Sequence, residues 1–312
     1  MLQTKQILTL LSNEQNQLRI KVSNNNLIII RNKEKIDQIP INKISLIQII
    51  GGISMTSCLL ESLAKENVCL FICSYNFLPV ANFLGCQNDL NFDLTRRQFL
   101  IHSKHNLRMN VAKDIVHGKI IAQLSLLTSQ NLIKIDNLSD RLSQLIVSIN
   151  RAQNITQLFG IEGSVASFYY QNLFYKHDWT SRKPRAKHDI ANFLLDIGYN
   201  YLYNQIQTLL IEAGFELRCG FLHVPMYQRK SLACDLMESF RPLIDHCLYK
   251  AFNLNQIKTE DFVLYQGKIK IVEYPKLAQY INLFVVQIVA NTSEMKKHID
   301  NFKFKILDYD LN

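Results

Sequence analysis

The apolar residues of this chain change period near residue 90, and that change restricts the fold more than any other feature of the sequence. Up to about residue 85 they come in short runs of strand length: "LRIKV" (18–22), "LIIIR" (27–31), "KISLIQIIGG" (43–52) and "VCLFICS" (68–74). The "SNNN" between the first two runs reads as a hairpin turn, because Asn tolerates positive φ. Between the last two, Ser54 is expected to cap an amphipathic helix over "MTSCLLESLAKEN". From "DLTRRQFLIHSKHNLRMNVAKDIVHGKIIAQLSLL" onward the apolar residues recur at three and four, and only 6 prolines interrupt the chain, so the remainder reads as helical. One exception is "DFVLYQGKIKIVEY" (261–274), where Tyr265-Gln266-Gly267 interrupts alternating residues as a hairpin does. The polar stretch 85–95, "GCQNDLNFDLT", lies where the period changes. These readings predict an α+β protein: a small N-terminal β-rich, sandwich-like domain with one helix over 1–88, then a larger, mainly α-helical domain over 89–312 containing one short β-hairpin.

Charge and cysteine usage narrow the setting. Lys and Arg exceed Asp and Glu by 35 to 26, a net charge of +9, which favours polyanionic partners. The 7 cysteines form no C-x-x-C pair and sit mostly inside apolar runs, so they read as buried, reduced thiols in a cytoplasmic protein and exclude a zinc or disulfide framework. The segment "MLQTKQILTLLSNEQNQ" lacks the marks of a signal peptide, and no apolar run is long enough to span a bilayer, so no membrane partner is expected.

Against this basic background, "GFLHVPMYQRKSLACDLMESFRP" (220–242) sets His223 ahead of a helix bearing Asp235 and Glu238. On a wheel of about 100° per residue, Leu232, Leu236, Phe240, Leu243, Ile244, Cys247 and Leu248 share one stripe and both acids face away from it. Pro242 is expected to kink or end the first part of that helix. Two readings stand open for the acids. They form a solvated face, or two carboxylates and an imidazole converge on a hard divalent cation, Mg²⁺ or Mn²⁺, of the kind that serves phosphate chemistry. The metal reading needs a third acid, and "LFGIEGSVASFYYQNLF" supplies Glu162 at a helix start.

With that segment included, the chain resembles the CRISPR-associated integrase family, CRISPR-associated protein one, which inserts new spacers into CRISPR arrays. The likeness rests on Glu162-Gly163 through Ala166 to Tyr169-Tyr170; on Arg182-Lys183-Pro184-Arg185 leading to Asp189, Asn192, Leu194, Leu195, Gly198 and Tyr199; on Gly214-Phe215 through Gly220 to His223; and on Ser231 through Asp235 and Glu238 to Phe240-Arg241-Pro242. It extends upstream to Arg96-Arg97-Gln98 and to Lys119 and Gln123. Ile190 stands where the family has Pro, and Glu216-Leu217 where it has Asp-Pro, departures that touch loops and leave the ligand positions intact.

The resemblance implies a divalent-metal-dependent DNA endonuclease and integrase. Glu162, His223 and Glu238 match the family's metal ligands. Asp235 matches the adjacent acid that supports the site and is a candidate to help hold a second ion. The reaction implied is a transesterification, in which the 3′-hydroxyl of a short duplex attacks a phosphodiester at the repeat border; metal binding would weaken as His223 protonates. The partners implied are double-stranded DNA (spacer precursor and repeat), CRISPR-associated protein two, and a second copy joined through the β-rich domain.

The basic loop "SRKPRAKH", with Arg182, Lys183, Arg185 and Lys187, and the "QRK" segment, with Arg229 and Lys230, read as phosphate contacts. Tyr169, Tyr170, Trp179 and Tyr199 suit core packing better than base stacking, and "EMKKHIDNFKFKI" (294–306) suits a plain exposed helix. Two alternatives keep the same residues: a casposon-type transposase, disfavoured by the short chain beyond the hairpin, and a catalytically silent DNA-binding subunit.

Overall fold

The computed structural model describes residues 5–12, 17–74, 77–85, 91–133, 136–176, 179, 181–223 and 230–310. Two compact units emerge, Met1–Asn91 with Val289–Ser293, and Phe92–Ile288 with Glu294–Asn312. The architecture is α+β, a β-rich unit followed in the chain by a larger helical one.

In the first unit, strands β1 (Gln6–Leu11), β5 (Ile44–Ile50) and β7 (Cys69–Cys73) run parallel, and β8 (Pro79–Phe83) pairs antiparallel to β7. A second sheet has the order β4 (Glu34–Pro40), β3 (Asn26–Arg31), β2 (Leu18–Ser23), β6 (Ile53–Met55). Ile20, Leu27 and Ile29 of the second sheet share one buried cluster with Leu10, Ile44, Ile47 and Ile49 of the first and with Leu59 and Leu63 of helix α1 (Ser57–Lys65). That shared core makes the unit a sandwich.

The β2–β3 turn uses Asn24 and Asn25 at φ 48° and 55°, the left-handed pair a two-residue hairpin turn demands, and Asn32-Lys33 repeats the device before β4. Strand β4 escaped the sequence reading because it shows no alternation: its first five residues are exposed. Two expectations are corrected. Ser54 lies within β6, and the N-cap of α1 is Thr56, whose side chain makes no capping bond. Cys58 is exposed, whereas Cys69, Cys73 and Cys219 are buried and Cys234 and Cys247 partly so; Cys86 lies outside the described residues.

The second unit is built around α3 (His105–Ser129), which carries Lys119 and Gln123 among its buried residues. Against it pack α5 (Ile155–Leu173) and the segment beginning at α7 (Ser231–Met237). This segment passes through one tight turn, Glu238–Phe240, into α8 (Arg241–Asn253). Pro242 sits in the first turn of α8, where its missing N–H is harmless, so the break falls just ahead of it as expected. Helix α6 (Ile190–Ala213) is buried along nearly its whole length and ends at Gly214, whose φ of 86° is the left-handed C-terminal cap that glycine adopts without strain.

Helices α2 (Phe92–Ser103), α4 (Asp136–Arg151), α9 (Tyr274–Ala290) and α10 (Thr292–Asp308) complete the helical set. The expected hairpin is present as β9 (Phe262–Tyr265) and β10 (Lys268–Ile271), turning on Gln266 and Gly267, both at positive φ. Helix α10 buries Met295, Ile299 and Ile306, so "EMKKHIDNFKFKI" is amphipathic with a solvated basic face.

Candidate active site

Asp235 organises the site through the main chain. Its Oδ2 accepts the backbone N–H groups of Phe221 (2.6 Å) and Leu222 (3.1 Å). Its Oδ1 accepts the His223 N–H (2.9 Å) and lies 2.7 Å from His223 Nδ1. A carboxylate only accepts, so Nδ1 carries the proton and donates it, which leaves Nε2 of the neutral ring with its lone pair free. Four hydrogen bonds occupy the Asp235 carboxylate. Those bonds tie the carboxylate to the His223 ring and to the main chain that carries it.

The loop 214–223 that presents those amides is held from its other side. Gln98, fully buried on α2, donates through Nε2 to the carbonyls of Glu216 (2.8 Å) and Cys219 (2.7 Å), and its Oε1 accepts the Glu216 N–H (3.2 Å). His102 Nδ1 meets the Gly220 carbonyl at 2.7 Å, and Arg108 Nε donates to the Phe221 carbonyl at 2.8 Å. Gly220 is required by close approach: a Cβ there would stand 2.7 Å from Ser231 Cβ and 2.9 Å from Asp235 Oδ2.

Glu162 of α5 and Glu238 of the tight turn converge on a single cationic group. The Lys119 ammonium pairs with Glu162 Oε1 and lies 2.5 Å from Glu238 Oε2. Glu238 is also paired by Arg241 Nε at 3.0 Å. Burial pushes the Glu238 carboxyl up, and the Arg241 and Lys119 charges more than reverse this, holding it at about 2. Burial opposes the Lys119 charge, while Glu238 and Glu162 outweigh it and keep the group above the usual lysine value. Phe159, one turn before Glu162, packs on the His223 ring with centroids 5.7 Å apart, so α5 and the histidine adjoin.

The face of the 231–248 segment that carries the acids is therefore not solvated: Asp235 is 1% and Glu238 2% exposed. A wheel drawn for one helix misses this, because α3 and the 214–223 loop bury the side opposite the apolar stripe. Among the described residues no three His, Cys, Asp or Glu side chains are arranged to hold a metal ion. The donor chemistry still suits a hard divalent cation, since two carboxylates already point at one positive centre and His223 offers a free nitrogen beside them. Sequence reasoning singled out Lys119 and Arg241 only as parts of matching motifs. The signal that marks Lys119 is a lone lysine amid the apolar face of "IVHGKIIAQL".

Beyond Glu238 lies a buried polar network. The Arg241 guanidinium stacks 4.5 Å above the Tyr199 ring, and that of Arg182 lies 5.3 Å from the same ring. Tyr199 donates to Asp245 Oδ1, Tyr169 donates to Asp245 Oδ2 at 2.9 Å, and the Tyr170 and Tyr199 hydroxyls are 2.7 Å apart. Trp179 stacks on Tyr170 at 5.4 Å and Tyr169 meets Tyr170 edge-on at 5.0 Å, the packing expected for most of these aromatics.

Arg182 braces the basic loop internally, with NH1 on Asn192 Oδ1 (2.7 Å) and NH2 on Asp196 Oδ1 (2.5 Å), and little of it reaches solvent. Those bonds engage Arg182, expected from the sequence as a phosphate contact, within the scaffold. Lys183 and Arg185 are exposed and Lys187 is half-buried. Lys230 stands partly buried ahead of α7, and Arg229 lies outside the described residues. The sequence missed that the hairpin docks on this loop: Ile269 N–H donates to the Lys187 carbonyl at 2.7 Å, bringing exposed Lys268 and Lys270 alongside. Burial lowers the Lys187 ammonium below its usual value, and Lys268 and Lys270 lower it further.

The fold is shared with known proteins. A Cas1 protein from Thermotoga maritima superposes with a TM-score of 0.84 at 19% identity, covering 97% of both chains. A casposase bound to its integration product gives 0.80 at 18% identity, over 98% of this chain and 91% of that one. The Cas6-RT-Cas1–Cas2 complex gives 0.76 at 22%, over 99% of this chain and 36% of the other. The family model for CRISPR associated protein Cas1 matches residues 12–275, so the chain belongs to the Cas1 family. Among relatives, the Cas4 exonuclease/Cas1 endonuclease fusion of Leptospira interrogans is 29% identical over 278 residues; these are 82% of this chain and 50% of the relative, so the match spans half that relative's length.

Proposed function

We propose that this chain is a divalent-metal-dependent DNA endonuclease and integrase of CRISPR adaptation, joining the 3′-hydroxyl of a short duplex to a phosphodiester at a repeat border. The observation that carries the reading is the convergence of the Glu162 and Glu238 carboxylates on one cationic centre beside a histidine whose Nε2 is left free. Glu162, Glu238 and His223 Nε2 would hold Mg²⁺ or Mn²⁺, which when bound supplies Lewis-acid polarisation of the scissile phosphate and lowers the pKa of the attacking hydroxyl. Asp235 fixes the His223 tautomer. Arg241 keeps Glu238 ionised and buried.

In the joining step a bond forms from the 3′-oxygen to phosphorus as the bond to the leaving oxygen breaks; the proton lost by the attacking hydroxyl is balanced by one gained on the leaving oxygen. The strip made by Lys183, Arg185, Lys187, Lys268 and Lys270 would track DNA phosphates and offset their repulsion from the carboxylates. Lys230 and Arg229 would add to it.

The partner reading draws on the Cas6-RT-Cas1–Cas2 complex, whose fold match supports assembly with a CRISPR-associated protein two dimer. A homodimer formed through the β-rich unit would bring two sites to the two ends of one duplex. The free, mostly buried thiols fit a reducing, cytoplasmic setting, and among the described residues no helix is long and apolar enough to cross a membrane.

The test is strand transfer of a labelled duplex into a repeat-bearing plasmid with Mn²⁺ and the small partner present. Glu162→Ala and His223→Ala are expected to abolish joining while duplex binding stays near the native value. Joining by either variant at the native rate refutes the site assignment.

A further inference from the structure

We propose that Lys119 is a built-in counter-ion that fills the cation position between Glu162 and Glu238, and that a divalent ion enters only by displacing it. This inference rests on the metal reading above and concerns how the ion gains access.

Glu238 is 2% exposed and the Lys119 side chain 9%, so neither charge is compensated by bulk water. Buried Glu238 and half-buried Glu162, brought together, would repel each other and be expensive to desolvate, and the Lys119 ammonium, reaching both, offsets that cost. Arg241 pairs with the same Glu238 Oε2, so the carboxylate pair faces two cations before any ion arrives. A divalent ion placed between the carboxylates would meet the ammonium at contact distance, which like-charge repulsion in a buried site forbids.

The lysine has somewhere to go. Gln123 lies one turn further along α3, is 1% exposed, and its Oε1 is buried without a hydrogen-bond partner. Residues four apart share a helix face, so that oxygen is a ready acceptor for the displaced ammonium. The stem of Lys119, with its rotatable bonds, can make that move while its backbone stays fixed in α3.

The experiment is a Mn²⁺ titration of the full chain, following free Mn²⁺ by electron paramagnetic resonance at low ionic strength, for wild type, Lys119→Met, Lys119→Gln and Glu162→Gln. The expected result is that both neutral substitutions at Lys119 bind Mn²⁺ at least about tenfold tighter than wild type, because the competing charge is gone. Without metal they unfold at lower temperature than wild type, and Mn²⁺ raises their midpoint more than that of wild type. The glutamine variant keeps a polar donor in the buried position, so a folded sample remains should methionine fail to fold. If Glu162→Gln weakens Mn²⁺ binding while the Lys119 variants bind no tighter than wild type, displacement is overturned and the metal reading survives. If Glu162→Gln leaves Mn²⁺ binding unchanged, the metal reading itself fails and this inference falls with it.

Discussion

His223 and Asp235 are joined twice, through the imidazole Nδ1 at 2.7 Å and through the His223 backbone N–H at 2.9 Å, both on the same carboxylate oxygen. Ring and main chain are thereby fixed together. Asp235→Asn keeps the volume but presents one acceptor in place of two and offers an amide donor to the ring, which reverses the tautomer. Mn²⁺ affinity is expected to fall roughly 10- to 100-fold and strand transfer with it, as for other residues that orient a metal-ligating histidine. Calorimetric titration checks the affinity, and an unchanged value would show that Asp235 does not position the ligand.

Gln98 holds loop 214–223 through three hydrogen bonds from a fully buried position. Replacing it with leucine leaves the Cys219 carbonyl and the Glu216 N–H without that partner, while the Glu216 carbonyl keeps the Cys219 N–H at 3.3 Å; at about 1–3 kcal/mol for each group so stranded, a loss of about 2 kcal/mol in total is a conservative expectation. Urea unfolding monitored by circular dichroism reads this directly. A variant as stable as wild type would mean that Asp235, His102 and Arg108 hold the loop without it.

The hairpin makes a distinct prediction about DNA. Lys268→Glu with Lys270→Glu removes two positive charges and adds two negative ones beside Lys183, Arg185 and Lys187, so duplex affinity should fall and the slope of log K against log salt should become shallower by about 2. Arg182→Ala should instead lower thermal stability, because its partners Asn192 and Asp196 lie within the scaffold. Fluorescence anisotropy across a salt series separates the two. An unaltered slope in the hairpin variant removes the hairpin from the DNA-binding surface.

Asp245 gives stability a pH dependence of predictable sign. Burial raises its carboxyl to about 6, against the opposing hydrogen bonds from Tyr199 and Tyr169. A raised carboxyl means that the folded state holds the proton more tightly, so its contribution is fully present below pH about 4 and is lost as pH rises through about 6. Relative to Asp245→Asn, which does not titrate, the wild type is expected to lose up to about 3 kcal/mol between pH 4 and pH 7. Unfolding both proteins at several pH values tests this, and a difference that stays constant with pH would place the proton elsewhere.

Features set by local chemistry were readable from the sequence: the Asn24-Asn25 and Gln266-Gly267 turns, the Pro242 break and the periodic helices each depend on residues close in the chain. The grouping of Glu162 with Glu238 was readable only through motif resemblance, since periodicity carries no information on which helices meet. What escaped depends on a third body. The acids read as lying on an outward face are buried because α3 packs over them. Arg182 read as a phosphate contact because nothing local reveals that Asp196, a later residue of α6, claims its guanidinium. Lys119 and Gln98 entered the sequence reading only as members of matching motifs, and their roles exist only once the 214–223 loop and the tight turn are in place.

The grip of Asp235 on successive peptide groups has an evolutionary corollary. Because the carboxylate reads amide hydrogens, which every residue but proline possesses, the apolar residues at 221 and 222 are free to exchange for others of similar bulk as lineages diverge. Proline is the one replacement that erases a contact outright. Kinship at great distance is therefore better sought in an uninterrupted pair of non-proline positions between a glycine and a histidine than in the identities that fill them.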